Sequence, residues 1–247
     1  MVEHDEKIKA HFNSELADYD FCADKVVPRN LELQQAMVAA IPFYNRARLR
    51  MLDLGVGTGQ TSTMVLQAFP NARVDGIDLS SKMLDVARRR LERYGSRVSL
   101  KQSDFCVTDF GGLGEAGGAN GAGRADGAGA FDVVFSAVSI HNCLDDDKRV
   151  LFKKIGAALR PGGCFVNADF VKFASPTLQS SVRSSYSDFL KRNLAGKELE
   201  HWTRHVERED KPAVIEEQFA WLRENGFGKI ETPYSFENTV VYRAMKA

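Results

Sequence analysis

Gly55, Gly57 and Gly59 form a G-x-G-x-G run directly after a short apolar segment at 51–54 and directly before a helical stretch starting at Gln60. A loop without side chains can turn tightly and admit a ligand close to its backbone. Asp78 ends the next apolar segment, where a carboxylate can accept hydrogen bonds from two vicinal ribose hydroxyls or cap the helix beside Ser80. Asp104 follows the third segment, placed to receive an adenine amino group or to cap a loop. Glycine loop and acids at successive strand ends point together to a nucleoside-bearing ligand. A dinucleotide fold wants its third glycine one position later, where this chain has Gln60, and that mismatch weighs against a nicotinamide cofactor.

His141 follows the fourth apolar run, at the mouth where reacting atoms would lie. Its ordinary pKa of about 6.5 suits proton removal near neutrality, although the ring could instead pack on a ligand or cap the next helix. Tyr19 could touch or shield the reacting group, or simply pack. Asp169 and Phe170, after the fifth strand, are pocket candidates without an assigned role. Asp53 lies inside the first strand, where burial is unfavourable unless hydrogen bonds or a cation compensate. His201 and His205 stand four apart with Glu198 and Glu207 nearby. That spacing suits a metal, but a third ligand is missing and 197–211 is highly charged, so a solvated surface is expected and no metal site. Cys22, Cys106, Cys143 and Cys164 are scattered without a Cys-x-x-Cys pair and read as reduced thiols.

These residues need elements to hold them. Strand-like runs at 51–54, 73–79, 98–102, 131–138 and 164–168 alternate with helical stretches, a rhythm of parallel strands joined by right-handed crossovers. Ser80 is a good N-cap for a helix carrying Met83, Leu84, Ala87 and Leu91 inward. Asp145, Asp146 and Asp147 suit the positive end of a helix presenting Leu151, Phe152, Ile155 and Leu159, which closes at Pro161-Gly-Gly163. A last helix is expected from Pro212 to Gly226, burying Val214, Ile215, Phe219 and Leu222. Strands at 228–232 and 237–244 should follow.

Residues 1–45 read as an N-terminal helical flap, with Ile8, Phe12 and Leu16 on one stripe and Leu31, Leu33, Ala36, Met37, Ala40 and Ile41 on another. Residues 175–211 read as a helical lid with Leu178, Val182, Tyr186, Phe189 and Leu190 inward. Residues 111–130 hold nine glycines and six alanines and read as a flexible insertion. All of this fits one domain over 1–247. Lys plus Arg equals Asp plus Glu at 33 each, so no global field attracts polyanions, which weighs against nucleic acid. The charged start lacks a signal core and no apolar run approaches the roughly 20 residues of a membrane span, so a cytoplasmic protein is expected. A homodimer stays open.

The segments Leu52-Asp-Leu-Gly-Val-Gly-Thr-Gly59, Gly76-Ile-Asp-Leu-Ser80 and Leu159-Arg-Pro-Gly-Gly163 resemble class I S-adenosylmethionine-dependent methyltransferases. The chain is similar to small prokaryotic members of unassigned substrate, and more loosely to the carboxy-S-adenosylmethionine synthase branch. The resemblance implies a Rossmann-like α/β fold, its seven strands ordered 3-2-1-4-5-7-6 with strand 7 antiparallel. It implies S-adenosylmethionine contacts at Gly55, Gly57, Asp78, Met83, Asp104 and Phe105; Asp53, Gly59, Leu79 and Ser136 complete the expected cofactor set, with the cofactor's ammonium facing Asp53. His141 and Tyr19 are the catalytic candidates. The implied activity is methyl transfer to an O, N, S or C atom of a small molecule. Alternatives are a synthase of a modified S-adenosylmethionine, with Arg29 or Arg183 holding its extra carboxylate, a tRNA methyltransferase, and a non-catalytic cofactor-binding protein.

Overall fold

The computed structural model describes residues 19–111, 113 and 131–247. Its order is α1 (Tyr19–Val26), α2 (Asn30–Ala39), β1 (Arg50–Leu54), α3 (Gln60–Ala68), β2 (Arg73–Asp78), α4 (Ser81–Leu91) and β3 (Val98–Gln102). There follow β4 (Phe131–Ala137), α5 (Asp145–Ala158), β5 (Leu159–Phe170), α6 (Pro176–Asn193), α7 (Gly196–Arg208), α8 (Ile215–Glu224), β6 (Phe227–Phe236) and β7 (Thr239–Lys246). The strands form one seven-stranded sheet ordered β3-β2-β1-β4-β5-β7-β6, as the resemblance implies. The first five pair in parallel, and β7 runs antiparallel to both β5 and β6.

Side chains alternate across a strand, and here both faces are buried. Met51 of β1 joins Val65 and Leu66 of α3 and Leu33 and Met37 of α2 on one side. Leu52 and Leu54 join Leu151, Phe152 and Ile155 of α5 and Trp221 and Leu222 of α8 on the other. Asp53 therefore faces the α3 side, among apolar neighbours. Ser80 caps α4 by accepting from the Met83 N–H at 3.2 Å, and arginines 88–90 occupy that helix's last turn, where cations suit its dipole.

Four elements depart from the sequence reading, among them β6, which runs from Phe227 to Phe236 where a strand over 228–232 is expected. β5 is twelve residues long and starts at Leu159, because the Pro-Gly-Gly turn is a register shift within the strand: Leu159 pairs Phe131 and Cys164 pairs Val133. The last helix starts at Ile215 and not Pro212, since Val214 is held extended by a bridge to Lys172; Gln218 and Trp221 share its buried face with Ile215 and Leu222. Gly226 does adopt the left-handed conformation expected after it, at φ 80°. In α6, Leu178 is 45% exposed, while Val182, Tyr186 and Leu190 are buried. The stripe at Ile8, Phe12 and Leu16, and nearly all of 111–130, lie outside the described residues. Among those described, no helix is long and apolar enough to cross a membrane.

Candidate active site

One cleft opens at the carboxyl ends of the parallel strands, where loops of an α/β sheet gather ligands. The glycine loop forms one wall. Gly55 has φ 79°, and a Cβ there would lie 2.0 Å from the Ser139 hydroxyl, so no larger residue fits. Gly57 has φ 54°, and a Cβ on it would meet nothing within 4 Å: its missing side chain leaves open space. Asp78 is fixed beside that space. Its Oδ2 accepts from the Gly57 N–H and its Oδ1 from the Ser80 N–H, each at 2.8 Å. Loop anchor and hydroxyl acceptor are compatible, since each carboxylate oxygen has a second lone pair. Burial raises the Asp78 pKa, and the backbone donors pull it back.

Asp104 also lines the cleft, with its Oδ1 capping a turn by accepting from the Cys106 N–H at 2.7 Å. Leu79, Met83 and Phe105 complete this end. Asp53, Gly59 and Ser136, expected in the cofactor set, do not line it. Asp53 accepts from the Ser62 hydroxyl of α3 at 2.6 Å. Burial pushes Asp53 up to about 7, with Ser62 lowering it and the Asp78 charge adding to the rise. Gly59 packs on Leu91, and Ser136 donates to the Leu54 carbonyl at 2.7 Å. Strand alternation and the tight turn give these three a supporting position.

The other end is built around His141, which sits in a short turn after β4 and is buried. The chain enters that turn through Val138, at φ 52° a strained backbone for a β-branched residue. Asp169, the penultimate residue of β5, fixes the ring: its Oδ1 lies 2.6 Å from His141 Nδ1, while its Oδ2 accepts from the His141 N–H at 2.9 Å. Nε2 is left toward the cleft and the lid. Burial pulls the His141 pKa down, but Asp169, together with Asp210, more than reverses this, and it ends above the usual histidine value.

Helices α6 and α7 cover this end. Tyr186, Trp202 and His205 are buried and line the cleft, as does Asp210 just after α7. This corrects the reading of 197–211 as a solvated surface with His205 upon it. Leu199, Trp202 and Val206, spaced three and four apart, form an inward stripe that the many charges between them obscure. Asp210 Oδ1 is 3.0 Å from His205 Nε2 and 3.7 Å from His141 Nε2. No cluster of three or more metal-ligating side chains occurs among the described residues.

The flap closes the remaining side, with Asp20, Asn30 and Gln34 at the cleft. The Thr58 hydroxyl of the glycine loop donates to Asp20 at 2.6 Å, and Arg90 of α4 donates to both Asp20 and Thr58. Flap and lid meet where the Tyr186 hydroxyl donates to the Val26 carbonyl at 2.9 Å and Lys25 pairs with Glu198 at 3.0 Å. The Tyr19 side chain lies outside what is described. Cys106 and Cys143, far apart in sequence, bring their sulfurs to 3.2 Å at the cleft wall.

A family model described as a methyltransferase domain matches residues 52–165, the segment from the glycine loop into β5. Phosphoethanolamine N-methyltransferase 2 of Caenorhabditis elegans is 39% identical over 114 residues, 46% of this chain; the chain spans only 22% of that protein's length. A carboxy-S-adenosyl-L-methionine synthase of Trichodesmium erythraeum is 25% identical over 235 residues, covering 91% of this chain and 85% of that one. In fold, the chain is similar to Haemonchus contortus phosphoethanolamine N-methyltransferase 2, solved with S-adenosyl-L-methionine, with a TM-score of 0.65 and 18% identity over 96% of this chain and 59% of that one. The sheet order and the glycine loop are those that the resemblance to class I S-adenosylmethionine-dependent methyltransferases implies, and residues 52–165 match a methyltransferase domain.

Proposed function

We propose that the protein transfers a methyl group from S-adenosylmethionine to a nucleophilic atom of a small-molecule acceptor. The observation that carries this reading is one cleft with two different ends: a backbone-anchored carboxylate beside an empty glycine position, and a carboxylate-oriented imidazole under a lid. The residues fit the cofactor, because Gly57 leaves open space where a side chain would stand and Asp78 offers lone pairs there. Asp78 would hold the ribose hydroxyls, Asp104 the adenine amino group, and Leu79, Met83 and Phe105 the apolar faces. Asp53, behind the loop, would add negative charge toward the methionine ammonium. The bound cofactor supplies a methyl group on a sulfonium, which makes it reactive toward a lone pair.

His141 would orient the acceptor and take its proton at Nε2, since Asp169 occupies Nδ1. Trp202, Tyr186 and Phe170 would exclude water, which strengthens charge interactions inside the cleft. The lid fits a small molecule in preference to RNA, in keeping with the balanced charge. A cytosolic location and a homodimer belong to the same reading.

The long alignment with the carboxy-S-adenosylmethionine synthase favours a second reading, synthesis of a modified cofactor. Against it, Arg29 pairs with Glu32 and stacks on Phe236, and Arg183 is 77% exposed beside Glu207. Among the described residues no Lys or Arg lines the cleft to hold an extra carboxylate.

Thermal shift tests the main reading. S-adenosylmethionine or S-adenosylhomocysteine at 100 times its Kd should stabilise the fold by about 2.7 kcal/mol, while NAD and NADP do nothing. Stabilisation by a nicotinamide cofactor alone would overturn it, and the mass of the product separates methyl transfer from cofactor synthesis.

A further inference from the structure

Acid and imidazole alternate from the floor of the cleft to its outer surface. Asp169 Oδ1 stands 2.6 Å from His141 Nδ1, and His141 Nε2 stands 3.7 Å from Asp210 Oδ1. Asp210 Oδ1 is 3.0 Å from His205 Nε2, and His205 Nδ1 is 3.0 Å from Glu209 Oε2. His141, Asp210 and His205 are all below 10% exposed, whereas Glu209 is 39% exposed. The fold also fixes the joint between the two halves. The Lys211 N–H donates to the His141 carbonyl at 2.9 Å, and the buried Lys148 ammonium donates to the Lys211 carbonyl and, at 2.9 Å, to Asp145. The peptide next to Asp210 is thereby tied to the turn that carries His141.

We propose that Asp210, His205 and Glu209 conduct the acceptor's proton from His141 to solvent, and that the acceptor therefore attacks through an N–H, O–H or S–H group. The inference rests on the methyltransferase reading and gives it an acceptor class. A nucleophile bearing hydrogen releases one proton for each methyl group it gains, and the lid over the His141 end limits the water that can take it. The proton moves to His141 Nε2 and then to the Asp210 carboxylate. Asp210 returns it to His205 Nε2 as His205 Nδ1 gives its own to Glu209, which exchanges with water. Neither contact of Asp210 Oδ1 is a formed hydrogen bond, the 3.7 Å step being the longer, and such contacts tighten and align when a ligand fills the site. No electrons are exchanged, and no group beyond acceptor, protein and water takes part.

The charges around the route favour a proton on each imidazole, with Asp210 as a brief carrier between them. Asp169 and Asp210 face His141, with Lys148 opposing them; burial lowers the His141 pKa and the two acids overcome it. Glu209 and Asp210 likewise outweigh burial at His205, while Asp210, despite its burial, is held below the usual carboxylate value by His205 and His141, with Lys211 adding to them.

Two measurements test this. Nitrogen-15 NMR of the ligand-free protein should show the His141 and His205 pKa values falling together in Asp210→Asn; a His141 titration identical to wild type would overturn the coupling. With S-adenosylmethionine and a panel of tyramine, catechol and thiophenol, beside trimethylamine and dimethyl sulfide as acceptors without such a proton, folded His205→Ala should lose about 100-fold in kcat with KM little changed, in the range of acid–base effects. Added imidazole should restore a part of it. An unchanged kcat, or a loss that imidazole leaves untouched, overturns the relay and reduces His205 to packing. Transfer only to acceptors without a proton on the attacking atom overturns the acceptor class. Absence of cofactor stabilisation in the wild type instead counts against the parent reading.

Discussion

At the scale of single residues, Asp78 in the cleft and Asp53 behind it have different partners, and so should their substitutions differ. Asp78 is anchored by two backbone donors on the loop it stabilises. Asp78→Ala should abolish the thermal shift by S-adenosylmethionine, and Asp78→Asn should weaken binding at least ten-fold, as titration calorimetry would read. Asp53 faces the opposite problem, a charge among apolar side chains with one hydroxyl as partner. Its folded pKa of about 7 exceeds the unfolded 3.8, so the folded state keeps a proton that the unfolded state has lost. Its contribution to stability is therefore present at low pH and lost as pH rises toward 7. Compared with wild type, Asp53→Asn should lose that decline in denaturant titrations at pH 5 and pH 8, and Ser62→Ala should destabilise by about 1–3 kcal/mol through the unpaired buried carboxyl. As the proposed base His141 would act only when unprotonated, and its pKa is raised. The limb of a kcat against pH plot should thus lie above the ordinary histidine value of about 6.5, with activity falling as the solution is acidified. An unchanged limb in His141→Ala would exclude it as the base.

At the scale of elements, what could be seen in the sequence was what neighbouring residues decide. The glycine loop, the Ser80 cap, the acids at the start of α5 and the glycine after α8 are local signals, and each marks its element within a few residues. Gly55 shows how strict such a signal is: Gly55→Ala should destabilise by about 1–3 kcal/mol because φ is positive and Ser139 occupies the space, measurable by chemical denaturation. The lid was legible as helix but not as wall. Whether His205 faces solvent depends on Asp210 meeting a histidine far earlier in the chain, and charge density along α7 argues the wrong way. Asp53 was legible as a strand acid in need of compensation, but its partner was not, since Ser62 reaches it from the next helix. The flap is held to the glycine loop by the Asp20, Thr58 and Arg90 cluster, which is partly exposed and contributes little to global stability. Arg90→Ala should leave the melting temperature within about two degrees and speed cofactor release several-fold, as stopped-flow fluorescence would read, if flap closure retains the ligand.

At the scale of the whole molecule, the two ends of the cleft come from different parts of the chain. The segment matched by the methyltransferase domain supplies the glycine loop, Asp78, Asp104 and His141, while Asp20, Trp202, His205 and Asp210 come from outside it. The proposed cofactor contacts thus lie in the matched segment, and the lid and flap residues of the cleft lie outside it, as expected for loops and lids on a common scaffold. The sheet adds a consequence for biogenesis. β7 lies between β5 and β6, yet it starts at Thr239, long after β5 ends at Phe170. During synthesis the hydrogen-bonding edge of β5 must wait, unpaired, until the lid and α8 have emerged, and unpaired edges recruit other chains. A nascent chain halted before Thr239 should therefore bind chaperones or aggregate even though its glycine loop and His141 are already made, and one released past Lys246 should not. The hazard in making this protein lies in the timing of one late strand.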